Sequence, residues 1–332
     1  MARVAFIGTG GTFSNEGKGA LDYLDYLDSG AVMATEDVLG LMPDVSHLAD
    51  IHPVGFAQLR SKAVGPAEWE QLAQVVTSQV QDPGIDGVVI THGTGVLEET
   101  AFYLHLRVNT TKPIVVLGAQ RPPTTVGSDA AKNFVDSLHW IRHHVREGQP
   151  AGVVTVMNQE VHSARDVAKL SNHTLGALES PGAGPLARVN ADGTVTIYRY
   201  PTAAHTHTSE FTTPAISPEG IRVDVVHQYA GADATMLNAC VEAGARGVVV
   251  VGFPPGTNTP DIDHAIKHHA SNAVVIVQAS RAIRDPHILD RTGLNHVVKN
   301  TDLSPQHARI LLMFALHAGA EQTQVQDVFD RY

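Results

Sequence analysis

The chain has 332 residues, a length typical of two domains. Its 43% hydrophobic and 17% charged residues supply a sizeable core and exclude a largely disordered chain. With 23 basic and 34 acidic residues, the net charge is −11, which disfavours a general nucleic-acid binder because such proteins need a basic surface. The single cysteine, Cys240, excludes an internal disulfide and stands outside any zinc-finger spacing.

Neither a signal peptide nor a membrane helix is predicted. The first apolar run, residues 4–7, is too short for a signal-peptide core and ends in a glycine turn. No apolar stretch of the sequence reaches the roughly 18 residues that a membrane helix needs. We therefore expect a soluble cytoplasmic protein that has neither nucleic acid nor a membrane as its partner.

Short apolar runs without polar alternation predict strands that are buried on both faces, as in a parallel sheet covered by helices. These runs are residues 4–7, 88–91, 114–117, 153–157, 223–226, 248–251 and 274–277. Amphipathic segments predict helices at residues 66–80, 96–108, 129–146, 232–243, 260–270, 304–318 and 322–329. This alternation predicts an α/β fold with a doubly wound, mainly parallel sheet.

A change in composition predicts where the chain divides. The stretch from about residue 189 to 218 is rich in threonine, proline and histidine, and it interrupts the alternation of strands and helices. We therefore predict a larger N-terminal catalytic domain over residues 1–190, a linker over 191–218 and a smaller C-terminal α/β domain over 219–332.

The loop after the first predicted strand is rich in glycine. Ligands of open α/β sheets bind outside the carboxyl ends of the strands, and residues 8–14 there read GTGGTFS. A dinucleotide-binding loop is one interpretation, although its pattern needs glycine where Phe13 stands. A tight turn that uses glycine only for its dihedral angles is the other.

Two later segments carry further candidate groups. Residues 92–100 read HGTGVLEET, which puts Thr94 at the mouth of a predicted helix, where backbone N–H groups favour developing negative charge. Thr94 fits either a hydroxyl nucleophile that needs a base or a helix cap. Residues 165–169 read RDVAK. Lys169 is either a solvated surface charge or a buried lysine of lowered pKa that acts as a general base.

Together these motifs resemble the bacterial L-asparaginase/glutaminase family. The resemblance rests on TGGT at 9–12, THGT at 91–94 with LEET at 97–100, and RDVAK at 165–169. GAQRP at 118–122, LSPQHAR at 303–309 and VFDRY at 328–332 also fit the family. The match therefore runs through the whole chain in the family's order.

The resemblance implies hydrolysis of a side-chain amide by threonine nucleophiles, without metal or cofactor. Thr12 would be the nucleophile, and Thr94 would be the second catalytic threonine with Lys169 as its base. The loop after the first strand would act as a lid, with a tyrosine that reaches back to Thr12. Both Tyr23 and Tyr26 lie in the right region, and we take Tyr26 as the candidate. The matching substrate-binding positions are Gly11, Ser61, Lys62, Gly93 and Gly95. The family's sites form between paired subunits, which implies a homodimer or homotetramer.

The chain departs from the family where the α-ammonium group of the substrate binds. An aspartate of the family binds this ammonium and pairs with the lysine, whereas this chain has Gly95. Losing that carboxylate weakens the binding of a substrate ammonium by roughly 2–5 kcal/mol. The loss also removes the charge partner of the lysine, which by itself lowers the pKa of the lysine. The family's glutamate from a neighbouring subunit has no counterpart, because Asp290 stands one place out of register. Arg60 and Lys62 add positive charge, either at the mouth of the pocket or as solvated surface cations.

We therefore predict an amidohydrolase of this family that releases ammonia from a small carboxylated amide without a free α-amino group and acts poorly on L-asparagine. Two alternatives stay open: a member that cleaves an imide or lactam, and a non-catalytic protein that binds a small molecule. The 19 histidines also suggest another class of enzyme, a metal-dependent amidohydrolase. We expect no metal site, because His205 and His207 lie in the predicted linker, and adjacent helical histidines such as His143 and His144 point roughly 100° apart.

Overall fold

The computed structural model describes residues 1–29, 31–59, 61–213, 217–284, 297–300 and 302–332, without the side chains of residues 29 and 61. The chain divides into two compact units, Met1–Ser209 and Glu210–Tyr332. In the described residues, no helix combines the length and the apolar character that crossing a bilayer requires.

The first unit contains an eight-stranded sheet with strand order β10-β9-β6-β5-β4-β3-β1-β2. Its strands are β1 (Ala2–Gly8), β2 (Ala49–Val54), β3 (Gly87–Thr91), β4 (Ile114–Leu117), β5 (Val153–Met157), β6 (Glu160–Ser163), β9 (Ala187–Val189) and β10 (Val195–Ile197). The pairs from β2 through β1, β3 and β4 to β5 are parallel, whereas β6, β9 and β10 add antiparallel pairs. A separate antiparallel hairpin pairs β7 (Ala168–Lys169) with β8 (Leu178–Glu179).

The helices of this unit are α1 (Tyr26–Ser29), α2 (Thr35–Gly40), α3 (Pro66–Gln81), α4 (Leu97–Arg107) and α5 (Ala130–Glu147), with short 3-10 turns at Thr12–Ser14, Ser61–Ala63 and Thr206–Thr208. The helices α3, α4 and α5 pack against the central strands of the sheet. Every residue of β3, β4 and β5 is buried. Phe6 of β1 packs edge-on against Phe134 of α5 at a centroid distance of 5.5 Å. Burial on both faces explains why these strands are apolar without alternation.

The second unit has its own four-stranded parallel sheet with the order β11-β12-β13-β14. Its elements are β11 (Val223–His227), α6 (Thr235–Glu242), β12 (Gly247–Gly252), α7 (Pro260–Ala270), β13 (Val275–Ser280), β14 (Val297–Lys299), α8 (Pro305–His317) and α9 (Gln322–Arg331). Apolar side chains such as Leu237, Val250 and Ile266 form its core. The predicted α/β class with a mainly parallel sheet is confirmed in both units.

The sequence prediction omits several short or peripheral strands, namely β2, β6, β7, β8, β9, β10 and β14, and two of these show why. The strand β10 lies inside the predicted linker 191–218 and pairs with β9, so the sheet of the first unit continues past residue 190. The sequence of residues 191–218 has the composition of a linker because the edge strand β10 is short and none of its residues is fully buried. The strand β2 was not predicted; it lies at the opposite edge, contains Pro53 and is largely exposed, which removes the apolar pattern that marks central strands.

The order β2-β1-β3-β4-β5 reverses direction between β1 and β3. In a doubly wound sheet the crevice at this switch point, beyond the carboxyl ends of the strands, is where ligands bind. The loops that leave β1 and β3 are the two threonine-containing segments singled out from the sequence. The topology therefore brings both segments to the same place.

Candidate active site

One glycine contact and one backbone hydrogen bond hold the first threonine loop against the second. Gly10 and Gly11 have φ values of 107° and 76°, a left-handed backbone that favours glycine. A Cβ atom placed on Gly11 would lie 2.3 Å from the Cα of Gly93, so the two backbones touch and leave no room for a side chain. The Thr9 N–H adds a bond to the Thr91 carbonyl at 3.1 Å. The loops that carry Thr12 and Thr94 are therefore held side by side.

Thr12 meets Tyr26 at the start of this loop. Thr12 is buried in the 3-10 turn after β1, and its Oγ1 lies 2.8 Å from the Oη of Tyr26. Burial raises the pKa of Tyr26 above its usual value of 10.0, so its phenol is neutral at neutral pH. Tyr23 points elsewhere: its hydroxyl donates to the Val126 carbonyl at 3.0 Å. Of the two candidate tyrosines, Tyr26 is the one in contact with Thr12.

Thr94 contacts Lys169 rather than capping the helix that follows it. The Nζ of Lys169 donates to the Oγ1 of Thr94 at 2.6 Å. The helix α4 begins at Leu97 after an N-cap at Val96 that makes no side-chain cap bond, so the helix-cap interpretation of Thr94 is wrong. Space for the Thr94 methyl group comes from Gly118, where a Cβ would lie 2.6 Å from it.

Lys169 is half-buried on the short strand β7. Burial lowers its pKa below the usual 10.5, and the nearby Glu98 opposes this shift. The backbone N–H of Lys169 donates to the Glu98 carboxylate, which reaches it from the first turn of α4. Burial raises the pKa of Glu98 to about 7, against the pull of the same N–H group and of the Lys169 charge. The sequence analysis missed Glu98 as a member of this site, although it stands in the LEET motif four residues after Thr94.

His92 belongs to the scaffold behind the threonines. It is fully buried, and its Nδ1 lies 2.9 Å from the Gly93 carbonyl oxygen. Its Nε2 lies 3.2 Å from the Thr100 hydroxyl, which also accepts from the Trp69 indole N–H at 2.9 Å. Burial lowers the pKa of His92 to about 4, so its imidazole is neutral at pH 7. This chain of contacts fixes the backbone at Gly93 and thereby the position of Thr94.

The remaining positions predicted to bind substrate, or to stand near its pocket, lie in turns next to the threonine loops or outside the described residues. Gly95 is exposed in the turn between Thr94 and α4. Leu59 pairs with Gly10, which puts the following turn, residues 61–63, beside the first loop. Lys62 is exposed in that turn. Arg60 and Asp290 lie outside the described residues, as does the side chain of Ser61.

Several of the histidines pack against aromatic rings or one another. His143 and His144 lie 6.2 and 6.0 Å from Trp140 on α5. The ring of His205 lies 5.3 Å from each of its neighbours, His105 and His207. In the part of the chain that the structure describes, no three histidine, cysteine or carboxylate side chains cluster in a way that could hold a metal ion.

This arrangement joins two hydroxyl groups to an amine of lowered pKa. A neutral lysine can accept the proton of a threonine hydroxyl, which is otherwise a weak nucleophile. Thr94 and Lys169 have the required contact, and Thr12 stands on the adjoining loop with a neutral phenol as its partner. The geometry places an amine of lowered pKa against one of two threonine hydroxyls that stand on adjoining loops.

Comparisons with known proteins identify the family. The N-terminal asparaginase family model matches residues 3–203, and the glutaminase/asparaginase C-terminal domain model matches residues 222–329. A glutaminase-asparaginase from Pseudomonas fluorescens biotype A is 31% identical over 100% of this chain and 91% of its own length. L-asparaginase 2 from Escherichia coli is 28% identical over 100% of this chain and 94% of its own length.

A solved structure agrees with these matches. The crystal structure of a probable cytoplasmic L-asparaginase from Campylobacter jejuni superposes with a TM-score of 0.90 at 29% identity, covering 100% of both chains. The resemblance read from the sequence motifs is therefore confirmed across both domains. The chain belongs to the asparaginase/glutaminase family of amidohydrolases.

Proposed function

We propose that this protein hydrolyses a small carboxylated amide that lacks a free α-amino group, with Thr12 as the nucleophile and release of ammonia. The observation that carries the proposal is the 2.6 Å contact between the Lys169 amine and the Thr94 hydroxyl, next to the Thr12 loop. The lowered pKa of Lys169 supports its role as the base. The proposal extends to this chain an activity that is named in its relatives.

The reaction proceeds in two steps. Thr12 Oγ1 adds to the amide carbonyl carbon, and its proton is accepted by the neutral Lys169 amine acting through the hydroxyl of Thr94. The resulting ammonium returns the proton to the leaving nitrogen, the C–N bond breaks, and ammonia departs from an ester on Thr12. Water then adds to the ester carbon, which yields the free acid and restores the Thr12 hydroxyl. The phenol of Tyr26 keeps its proton and orients the attacking oxygen.

The substrate class follows from Gly95. A substrate ammonium needs a carboxylate partner when it is desolvated, and a glycine supplies none. The loss corresponds to roughly 2–5 kcal/mol, or about one to three orders of magnitude in kcat/KM for L-asparagine. An amide without the α-amino group carries no such charge and loses nothing at this position. Gly95 is exposed and leaves this part of the site open.

Ammonia release from a panel of amides tests the proposal. The panel pairs L-asparagine and L-glutamine with their α-deamino analogues, which keep the carboxylate and the amide. We expect kcat/KM for at least one analogue to exceed that for its parent amino acid by about tenfold or more. Efficient turnover of L-asparagine would overturn the substrate assignment and leave the amidohydrolase chemistry intact.

The two remaining alternatives give different results in the same experiment. A ring-opening member would convert a cyclic imide or lactam to an acid without releasing ammonia, which chromatography of the products detects. A non-catalytic binding protein would bind an α-deamino amide in calorimetry and leave it unchanged. The retained contact between Lys169 and Thr94 favours catalysis over binding alone.

The location and assembly of the protein are part of the proposal. We propose a cytoplasmic homotetramer or homodimer that acts on its amide without a cofactor. The Campylobacter jejuni relative is named cytoplasmic, whereas a relative from Haemophilus influenzae is named periplasmic. Cell fractionation and light scattering during size-exclusion chromatography measure the two properties directly.

A further inference from the structure

Glu98 joins the two segments that form the proton-accepting pair. It lies in the first turn of α4, four residues after Thr94, and its carboxylate accepts the backbone N–H of Lys169 on β7. Lys169 in turn contacts Thr94 through its side chain. Glu98 therefore links two segments of the chain. It belongs to α4, the helix that follows Thr94, and it holds the backbone of Lys169, whose side chain contacts Thr94.

Glu98 is the carboxylate whose charge acts on Lys169, and its charge raises the pKa of the lysine against the effect of burial. Lys169 is half-buried, as is Glu98. Glu99 follows on α4 and acts on Glu98. On the neighbouring strand β8, Glu179 is paired with Ala168, so its side chain points away from that of Lys169. Upstream, Asp166 is held by Arg165 and Arg199.

We propose that Glu98 is the positioning residue of this site: it holds the β7 backbone so that Lys169 reaches Thr94, and it stabilises the ammonium that Lys169 becomes when it takes a proton. The inference rests on the proposed function and assigns to Glu98, which stands in the LEET motif, a contact with Lys169 that does not depend on a carboxylate at position 95. The lysine thus keeps a charge partner while the ammonium subsite of the substrate stays uncharged.

The step that Glu98 supports balances without any further reactant. The Thr94 O–H bond breaks as a new N–H bond forms on Lys169, and the proton of the Thr12 hydroxyl passes to the Thr94 oxygen in its place, so that the negative charge develops on the attacking Thr12 oxygen. Glu98 accepts no atom in this step, because its carboxylate acts through its charge and through the Lys169 N–H. A helix N-terminus also favours a negative side chain in its first turn, which opposes the burial that raises the pKa of Glu98 to about 7.

Glu98→Gln isolates the charge, because a glutamine carbonyl still accepts the Lys169 N–H. Competitive labelling with acetic anhydride over a range of pH, read by mass spectrometry, gives the titration midpoint of Lys169 without requiring activity. Lys267, exposed on α7, serves as the internal reference. We expect Glu98→Gln to lower the Lys169 midpoint by about one pH unit, since removing an opposite charge at close range shifts a lysine by that much. We also expect the plateau kcat, measured above the Lys169 midpoint where the amine is neutral in both proteins, to fall by up to about tenfold with KM changed by less than about twofold.

Two variants separate this function from a structural one. Glu98→Asp keeps the charge and restores the midpoint, and Glu242→Gln removes an exposed carboxylate from α6 and leaves both quantities unchanged. An unchanged Lys169 midpoint in Glu98→Gln, with or without a loss of kcat, overturns the inference. If the midpoint falls but the wild-type protein releases no ammonia from any amide, the proposed function fails while the pairing of Glu98 with Lys169 stands.

Discussion

The hydroxyl of Thr12 lies 2.8 Å from that of Tyr26, although the two residues belong to different turns. The contact depends on Asp22, whose carboxylate accepts the backbone N–H groups of Lys18, Asp25 and Tyr26 at 2.8–3.2 Å. These bonds lower the pKa of Asp22 and fold the segment into a turn that ends at α1. A compact turn of the chain therefore delivers the phenol to the threonine.

Tyr26→Phe removes this hydroxyl and keeps the ring. We expect kcat to fall by about 10²-fold or more, because the partner of the attacking oxygen is lost. Stability should change by no more than about 1 kcal/mol, the net value of one hydrogen bond. Tyr23→Phe is the matched control, since its hydroxyl contacts the Val126 carbonyl instead. Equal losses of ammonia release in the two variants would contradict a specific role for Tyr26.

Lys169 is predicted to act in its neutral form. Its pKa is lowered from 10.5 by burial, so kcat should rise with pH until that lowered pKa is passed. Lys169→Met removes the acceptor, and Lys169→Arg replaces it with a group that does not release its proton. We expect both to reduce kcat about 10²- to 10⁴-fold with a folded protein by circular dichroism. As a control, Lys267→Met changes an exposed lysine of α7 and should retain full activity. If kcat of the wild-type protein does not depend on pH, Lys169 is not the base.

The central part of the fold could be predicted from the sequence because its strands are buried on both faces. The predicted runs at 88–91, 114–117 and 153–157 correspond to β3, β4 and β5, in which every residue is buried. The edge strands β2 and β10 carry exposed residues, so their sequences lack that pattern. A two-residue strand such as β7 forms because it pairs with β8, and two residues are too few to show a pattern in the sequence.

The site could be predicted only in part, for a similar reason. Thr12, Thr94 and Lys169 stand in motifs, and strand order explains why the first two meet. The choice between Tyr23 and Tyr26 depends on a turn organised by Asp22, and that choice needs coordinates. Glu98 acts through the backbone of a residue that is 71 positions away in sequence, a contact that no spacing rule reveals.

The buried histidines predict a loss of stability in acid. Burial lowers the pKa of His92, His144, His162 and His205 to about 4, whereas the unfolded chain binds the proton near 6.5. Between these values the unfolded state holds more protons, so stability falls as pH decreases. From pH 7 to 5 each such histidine contributes a loss on the order of 2 kcal/mol.

Urea unfolding at pH 7 and pH 5 measures this effect. His144→Gln removes one titrating group and should make the free energy of unfolding less dependent on pH by about 2 kcal/mol over this interval. His47→Gln makes the same substitution at an exposed position and serves as the control. An identical pH dependence in His144→Gln and the wild-type protein would show that this imidazole is not buried in its neutral form.

Gly95→Asp tests whether the missing carboxylate determines the substrate. Gly95 is exposed in the turn that follows Thr94, so the side chain of an aspartate there meets solvent rather than a packed core. An aspartate at this position restores a partner for the substrate ammonium, and we expect kcat/KM for L-asparagine to rise about 10- to 10³-fold relative to its α-deamino analogue. Gly95→Asn has nearly the same shape without the charge and should leave the preference unchanged. If Asn and Asp at position 95 shift the preference equally, the size of the side chain and not its charge determines specificity, and the α-deamino assignment loses its physical basis.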